Sequence, residues 1–520
     1  MEFVKKERNA MYNIINSSII KGIESVPIFV EADISNGLPM FDMVGYLSSE
    51  VKEAKDRVRI ALKNTGFELP AKRITINITP GNIRKSGNGF DLPIALALLS
   101  AMEKIPKEAL ENSFSIGELG LNGNILPVHG VLPMAAMAKE NGIKRVYVPF
   151  ENAREAALVR DLEVVALTTL EDTVKMLKGE IPLSCYDCAL NDEAVAEPDE
   201  SIDFSEIHGQ LAVRRACEIS VSGMHNMLMI GPPGAGKSMI ARRIPTILPP
   251  LTKKEQMDLS KIYSVNGMLD ASKGLTNKRP FRMPHHTMTP QALSGGGTYA
   301  KPGEISLAHG GVLFLDELPE FNKNTLEILR QPMEEKCIRI SRASGMYVYP
   351  ADFLFIAAMN PCKCGFFPDF NKCTCSPRDV KKYLSRISQP LLDRIEICVE
   401  TPRMSFDELN NSSEGESSAS IRERVIRTHE LQRRRFANES FDYNSQIPSA
   451  LIDKYCSLNG ELTGYLKTVF KKLDLSARSY YKILKVARTI ADMDESPEIK
   501  CSHINEAICY RSADKKYWEV

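Results

Sequence analysis

The sequence has no net charge: 66 Lys and Arg balance 66 Asp and Glu across 520 residues. A chain that draws nucleic acid through an overall basic field is therefore excluded, while a local basic surface is not. Also missing is any uninterrupted apolar run near the ~20 residues that a bilayer-spanning helix needs, so no membrane partner is expected. The first residues carry Lys5, Lys6 and Arg8 and lack the apolar core of a secretory signal. A cytoplasmic protein is the expectation. In that compartment twelve cysteines point to reduced thiols or metal ligands, not to a disulfide framework. With 43% hydrophobic and 25% charged residues the composition is that of a globular protein, and the length suggests roughly three domains.

Two composition shifts divide the chain. Ala189–Glu200 (ALNDEAVAEPDE) is acidic and holds no large apolar cluster, and Asn410–Ser420 (NNSSEGESSAS) is too polar to bury enough surface to offset chain entropy. The expected blocks are 1–185, a linker 186–200, 201–405, and 421–520. The first mixes strands (Val26–Asp33, Arg73–Thr79) with helices (Ser49–Gly66, Asp91–Met102). The last is helical, notably over Ser476–Met493.

Gly231-Pro232-Pro233-Gly234-Ala235-Gly236-Lys237-Ser238 fits the phosphate-loop pattern G-x-x-x-x-G-K-[ST] without a mismatch. An apolar strand (Asn226–Ile230) precedes it and a helical pattern (Met239–Ile244) follows, which is the context the pattern needs. Glycines let backbone N–H groups turn toward phosphates, and the helix N-terminus adds its dipole. Lys237 is placed to reach the β- and γ-phosphates of ATP, and the Ser238 hydroxyl to bind Mg²⁺. Downstream, Gly311-Val-Leu-Phe-Leu-Asp-Glu317 reads as a buried strand that delivers two carboxylates to the same sheet edge. Asp316 is the expected Mg²⁺ ligand, and Glu317 the general base that activates water. A third strand, Asp352–Asn360, ends in Asn360, a candidate sensor of the γ-phosphate; a turn-opening Asn before Pro361 is the other reading.

These elements, in this order, resemble an AAA+ ATPase. More specific stretches resemble the YifB/ComM family of magnesium-chelatase-like AAA+ ATPases: Phe281-Arg-Met-Pro-His-His-Thr287, Ala292-Leu-Ser-Gly-Gly-Gly297, Gly303-Glu-Ile-Ser-Leu-Ala-His-Gly310, Leu329-Arg-Gln-Pro332, Asn360-Pro-Cys362 and Tyr383-Leu-Ser-Arg-Ile-Ser-Gln-Pro-Leu-Leu-Asp-Arg394. The resemblance implies a multidomain α/β chain: a Lon-protease-like α+β domain, a P-loop AAA+ core and an α-helical lid. It implies Arg394 as an arginine finger acting in trans, Arg386 as a second candidate at that interface, and Arg478 as the second sensor of the lid. It also implies a homo-oligomeric ring, a hexamer, and a DNA-acting motor: a helicase promoting branch migration during DNA uptake. A chelatase-type motor and a protein remodeller are the competing classes.

Cys362-Lys-Cys364 and Cys373-Thr-Cys375 supply four thiolates, enough for a tetrahedral Zn²⁺ site, but one-residue spacers depart from the usual C-x₂₋₄-C. Strain, another pairing, or unligated thiols stay open. Cys185-Tyr-Asp-Cys188 lacks a second pair and reads as incidental. His285 and His286 are adjacent and cannot both face one metal from a strand; a structural role and substrate contact are both open. Arg84–Ile94 and Gly117–Val128, with Ala135–Gly142, are similar to the Lon protease domain. Gly89 stands at the serine position and Leu132 or Met134 at the lysine position, so no Ser–Lys dyad is expected. For DNA, the hairpin Cys337–Ala343 offers Arg339 and Arg342. The arginines at 422, 424, 427 and 433–435 are interleaved with Glu423 and Glu430 and read better as a solvated helix face.

Overall fold

The computed structural model describes residues 13–186, 202–297, 299–342, 345–403, 415–473 and 475–518. The linker Ala189–Glu200, residues 410–414 of the second loose stretch, Cys188 and Ala343 lie outside them.

Seven strands form the first sheet, in the spatial order Met40–Val44, Arg73–Thr79, Glu24–Ser35, Asn13–Lys21, Ser113–Ser115, Arg145–Pro149, Glu163–Leu167. The long Asn13–Lys21 and Glu24–Ser35 strands form a hairpin, and Arg73–Thr79 joins it antiparallel. The remaining pairings are parallel. Helix Asp91–Ala101 is apolar all round and is buried along almost its whole length, as such a helix must be. Helix Ser49–Asn64, capped by Ser48, buries only one stripe, Val51, Ala54, Val58, Ala61 and Leu62.

The second sheet has five strands, all parallel: Phe281–Arg282, Val312–Leu315, Leu354–Met359, Met227–Ile230 and Ile397–Glu400, in that order across the sheet. Its three central strands are apolar at every position because both faces are covered. Met227, Met229, Val312, Phe314, Leu354 and Ile356 face one core, which they share with Ile421, Val425, Ile483, Leu484 and Ile490 from the C-terminal helices. Leu228, Ile230, Leu313, Leu315 and Phe355 face the other, together with Cys362, Phe367 and Tyr383.

The C-terminal helices therefore pack against one face of the five-stranded sheet. Helix Ser418–Arg435 starts inside the polar stretch, with Ser417 as its cap. Two of its arginines are structural. Arg424 Nε bonds Glu218 at 2.6 Å, and Arg435 Nη1 bonds the buried Asp492 at 2.7 Å. Helix Ala477–Met493 is capped by Ser476 and buries Ile483, Leu484, Ala487 and Ile490. No helix among the described residues is long and apolar enough to cross a membrane.

Candidate active site

Parallel strands put all their C-terminal ends at one edge of the sheet, and three of these ends converge. After Met227–Ile230 the chain turns through residues 231–236 into helix Lys237–Ile247. Gly236 makes the last step at φ +79°, in the left-handed region that side chains avoid, and so aims the helix N-terminus into the loop. The Lys237 ammonium is held inside the loop by the carbonyls of Gly231 (2.7 Å) and Pro232 (2.9 Å) and by Asn360 Oδ1 (3.2 Å). Burial pushes its pKa down, partly offset by the carboxylates of Asp316 and Glu317. Ser238 Oγ donates to Asp316 Oδ2 at 2.5 Å.

The two residues expected to bind Mg²⁺ are thus joined by a hydrogen bond, and their hydroxyl and carboxylate oxygens suit a hard cation. Glu317 follows in a left-handed conformation, φ +52°, and its N–H bonds Asp316 Oδ1 at 2.9 Å. Lys237, Ser238, Asp316, Glu317 and Asn360 thus share one edge of the sheet.

Arg394 and Arg478 do not join them. Both line a cleft of about 760 Å³ whose walls include Asn226, Asp352 and Glu396, residues at the opposite, N-terminal edge of the same strands. Asn226 ties that edge together. Its side chain donates to Arg394 O (2.8 Å) and accepts from Phe355 N (3.1 Å), while its own N–H bonds Glu396 Oε2 (2.9 Å). The Arg394 guanidinium pairs with Glu334 and donates to Pro390 O, and its side chain is only 15% exposed. Arg478 pairs with Asp393 at 2.8 Å.

The C-terminal helices pack on the sheet face, so Arg478, the expected second sensor, sits beside Arg394, the expected finger, and not over the phosphate loop of its own subunit. Arg386 is not in that cleft either. It bonds Pro319 O (3.2 Å) and Glu320 Oε2 (2.7 Å), in the turn that follows Glu317.

The four cysteines of the insert converge as well. All four sulfurs lie within 4.8 Å of one another, and three of the S···S distances are 3.3, 3.5 and 3.7 Å. These exceed the ~2.05 Å of a disulfide and lie near the ~3.8 Å edge of a tetrahedron with Zn–S bonds of ~2.3 Å. The insert also touches the phosphate loop. A Cβ on Gly365 would stand 2.4 Å from Pro233 Cδ. Arg403 bonds Pro233 O at 3.1 Å while lying 5.1 Å from the Phe366 ring. Cys185 is an exposed free thiol.

One placement was not evident from spacing. His286 Nδ1 lies 3.3 Å from Glu317 Oε2, with the His285 ring against it at 4.1 Å. The hairpin pairs Cys337–Arg342 with Gly345–Pro350. It leaves Arg339 and Arg342 exposed, with contacts to Glu335 and to Gly297 O at 3.3 Å.

In the first unit Gly89, Met134 and Ser86 line one cavity of about 460 Å³. A Cβ on Gly89 would stand 2.6 Å from Ile116 Cδ1, so a serine fits there only if Ile116 moves. Leu132 is fully buried. Lys85 is buried too and donates to Pro80 O.

A phosphate loop on a parallel sheet, with Ser–Asp and Glu at the strand ends, defines a P-loop nucleoside triphosphatase. Residues 203–409 match the family described as magnesium chelatase, subunit ChlI. Residues 30–152 match subunit ChlI of Mg-chelatase, and residues 415–511 the subunit ChlI C-terminal family. Competence protein ComM of Haemophilus influenzae is 40% identical over 503 residues, 96% of this chain and 97% of that protein. YifB of Salmonella typhimurium is 40% identical over 507 residues, again 96% and 97%. Lon protease 2 of Bacillus subtilis is 32% identical over 129 residues, 24% of this chain and 22% of that protein. The chain belongs to the YifB/ComM family of magnesium-chelatase-like AAA+ ATPases, with a Lon-like first unit and ATP and Mg²⁺ as the ligands that family implies.

Proposed function

We propose that this chain forms a ring, a hexamer, in which ATP is hydrolysed between subunits to drive movement on DNA, as a helicase promoting branch migration during DNA uptake and recombination. One observation carries the interfacial part. The phosphate-binding residues gather at one edge of the sheet, and Arg394 and Arg478 at the other. A nucleotide held by Lys237 and Ser238 meets these arginines only when a second copy presents its cleft. Within one subunit Lys237 holds the β- and γ-phosphates, Asn360 orients the terminal phosphate, and Glu317 takes the proton of the attacking water. Ser238 and Asp316 would hold Mg²⁺, which supplies charge neutralisation on the phosphates. Arg394 from the neighbouring copy stabilises charge developing in the transition state, and Arg478 faces the same nucleotide. Arg386, anchored beside the base, orders the turn at Pro319 and Glu320.

The DNA reading is supported by the relative named a competence protein and by two exposed arginines on one hairpin. It is tested by steady-state ATP hydrolysis with no DNA, single-stranded DNA and a four-way junction, each at two salt concentrations. Salt-sensitive stimulation is expected, and flat hydrolysis by an assembled ring would transfer the motor to a protein partner. Arg339→Ala with Arg342→Ala is expected to weaken DNA binding and to flatten its salt dependence, by about 0.7–0.9 in log–log slope per lost phosphate contact. Unchanged affinity and slope in that double variant would remove the hairpin from DNA contact.

The same reading gives the four cysteines a structural Zn²⁺ that pins the phosphate loop through Gly365 and Pro233. Anaerobically purified protein should carry about one equivalent of zinc per chain. Cys373→Ser with Cys375→Ser should lose it and turn over ATP more slowly. Less than about a tenth of an equivalent in the unmodified protein would sink the site.

A further inference from the structure

The cavity that Gly89 and Met134 share is open to solvent and is walled by both units. Ser86, Pro127, His129 and Tyr299 stand exposed at its mouth. One side belongs to the ATPase core: Tyr347 and Tyr349 of the hairpin strand Gly345–Pro350, with Lys301 and Val265. The units meet closely at this seam. The Tyr299 hydroxyl donates to Glu50, and a Cβ on Gly22 would stand 2.5 Å from Val348 O. At about 460 Å³ the cleft is within the ~300–1,000 Å³ of ligand sites.

Three features of the wall point to what it holds. Its lining is largely apolar, from Ile20, Phe90, Ile116 and Val128. Ser18, which also lines it, is 1% exposed, and its hydroxyl has no hydrogen-bond partner among the described residues. A buried hydroxyl left unpaired costs stability and is rare for that reason. The third feature is charge. Glu118 is half-buried in the wall and is tied to the Asn88 amide at 3.2 Å, with no ion pair among the described residues. The nearby Arg57 does not neutralise it, being spent on the buried Asp91 through bonds of 2.7 and 2.9 Å. Glu50 adds a second carboxylate, while the cations His129 and Lys301 stay at the exposed rim. Two carboxylates repel a phosphate backbone. A lysine or arginine suits them, because its stem covers apolar surface while its head meets the charge. An extended peptide supplies such a side chain, apolar neighbours for the lining, and a carbonyl for the Ser18 hydroxyl.

We propose that this cleft binds an extended peptide segment of a protein partner without cutting it, seating a lysine or arginine against Glu118 and a peptide carbonyl on the Ser18 hydroxyl. Gly89 offers no nucleophile and Met134 no base, so the segment is held intact. It lies against Tyr347 and Tyr349, and the partner thereby gains contact with the hairpin as well as with the first unit. Neither the nucleotide site nor movement on DNA enters this assignment.

Binding is measured on the full chain, without nucleotide or DNA, by fluorescence anisotropy. The probe is a labelled pentapeptide pool with arginine at its centre and randomised apolar residues on either side. A second pool carries citrulline, the neutral isostere, in place of arginine. The arginine pool should bind about tenfold tighter or more, lose affinity as salt rises, and be recovered uncut by mass spectrometry. Glu118→Gln keeps the shape and the bond to Asn88, and should erase the difference between the pools. Ser18→Ala should weaken both pools by about three- to tenfold. Its melting temperature should be equal or higher, since an unpaired buried hydroxyl is removed. Ser86→Trp alters an exposed residue at the mouth, so it should fold and block both pools even if Ser18→Ala does not fold. Equal binding of the two pools, discrimination that survives Glu118→Gln, or undiminished binding in Ser86→Trp overturns the proposal. Cleaved peptide overturns it too, by returning peptidase chemistry to the cleft.

Discussion

Glu317→Gln is expected to bind ATP as the unmodified chain does and to lose turnover by roughly 10²–10⁴-fold, the range that a positioned general base contributes. The separation of binding from chemistry follows from the geometry. The contacts expected to fix phosphate and Mg²⁺ belong to Lys237, which bonds Asn360, and to Ser238 and Asp316, which bond each other. The Glu317 carboxylate makes none of those bonds; among the described residues its ion-pair contact is with His286 Nδ1, at 3.3 Å. An amide at position 317 keeps the shape and removes the proton acceptor. Lys237→Ala should do the reverse, emptying the loop of its buried cation and weakening ATP binding itself. Fluorescent-nucleotide titration beside a phosphate-release assay distinguishes them. Equal turnover in Glu317→Gln and the unmodified chain would end the base assignment, and loss of ATP binding in Glu317→Gln would move Glu317 into the binding network.

What the sequence made legible was whatever lies within one strand and its next turn. The phosphate loop, the Asp316–Glu317 pair and Asn360 each end an apolar run, and runs buried on both faces of a parallel sheet announce themselves. The strand at Arg73–Thr79 and the helix ending at Met493 were readable for the same local reason. The positions of Arg394 and Arg478 relative to the phosphate loop were not. They depend on which face of the sheet the C-terminal helices cover, a choice made by Ile421, Val425, Ile483 and Ile490 packing against Met227 and Phe314. The approach of His286 to Glu317 was hidden because the strand leading to His286 has only two residues, Phe281 and Arg282, too few for any period to show. The brace from the cysteine insert to the phosphate loop depends on the close approach of Gly365 and Pro233, which no spacing rule reports.

The opposed edges lead to the other large effect, and it needs two defective chains. Rings of Arg394→Ala alone should bind ATP yet hydrolyse it roughly 10³–10⁵-fold more slowly, the range an arginine finger supplies. Rings of Lys237→Ala alone should fail for want of bound ATP. Each chain keeps what the other lacks. Where the phosphate loop of an Arg394→Ala subunit meets the cleft of a Lys237→Ala subunit, the site is whole. Random assembly from equal amounts makes roughly one interface in four of that kind, so about a quarter of normal turnover should return if sites act independently. If Arg394 served its own subunit, no mixed interface would be complete and the mixture would stay inactive, provided sizing or crosslinking shows that the chains co-assemble. Substituting Arg478→Ala for Arg394→Ala in the same mixture tests the second arginine. It shares the cleft with Arg394 and is held to Asp393, the neighbour of Arg394 in sequence, so its loss should be rescued in trans in the same way. Rescue of Arg394→Ala without rescue of Arg478→Ala would mean that the lid arginine serves its own subunit after a movement of the lid off the sheet face. Rescue of both means that one continuous cleft, built from the N-terminal edge of the strands and the start of helix Ala477–Met493, completes the neighbouring site.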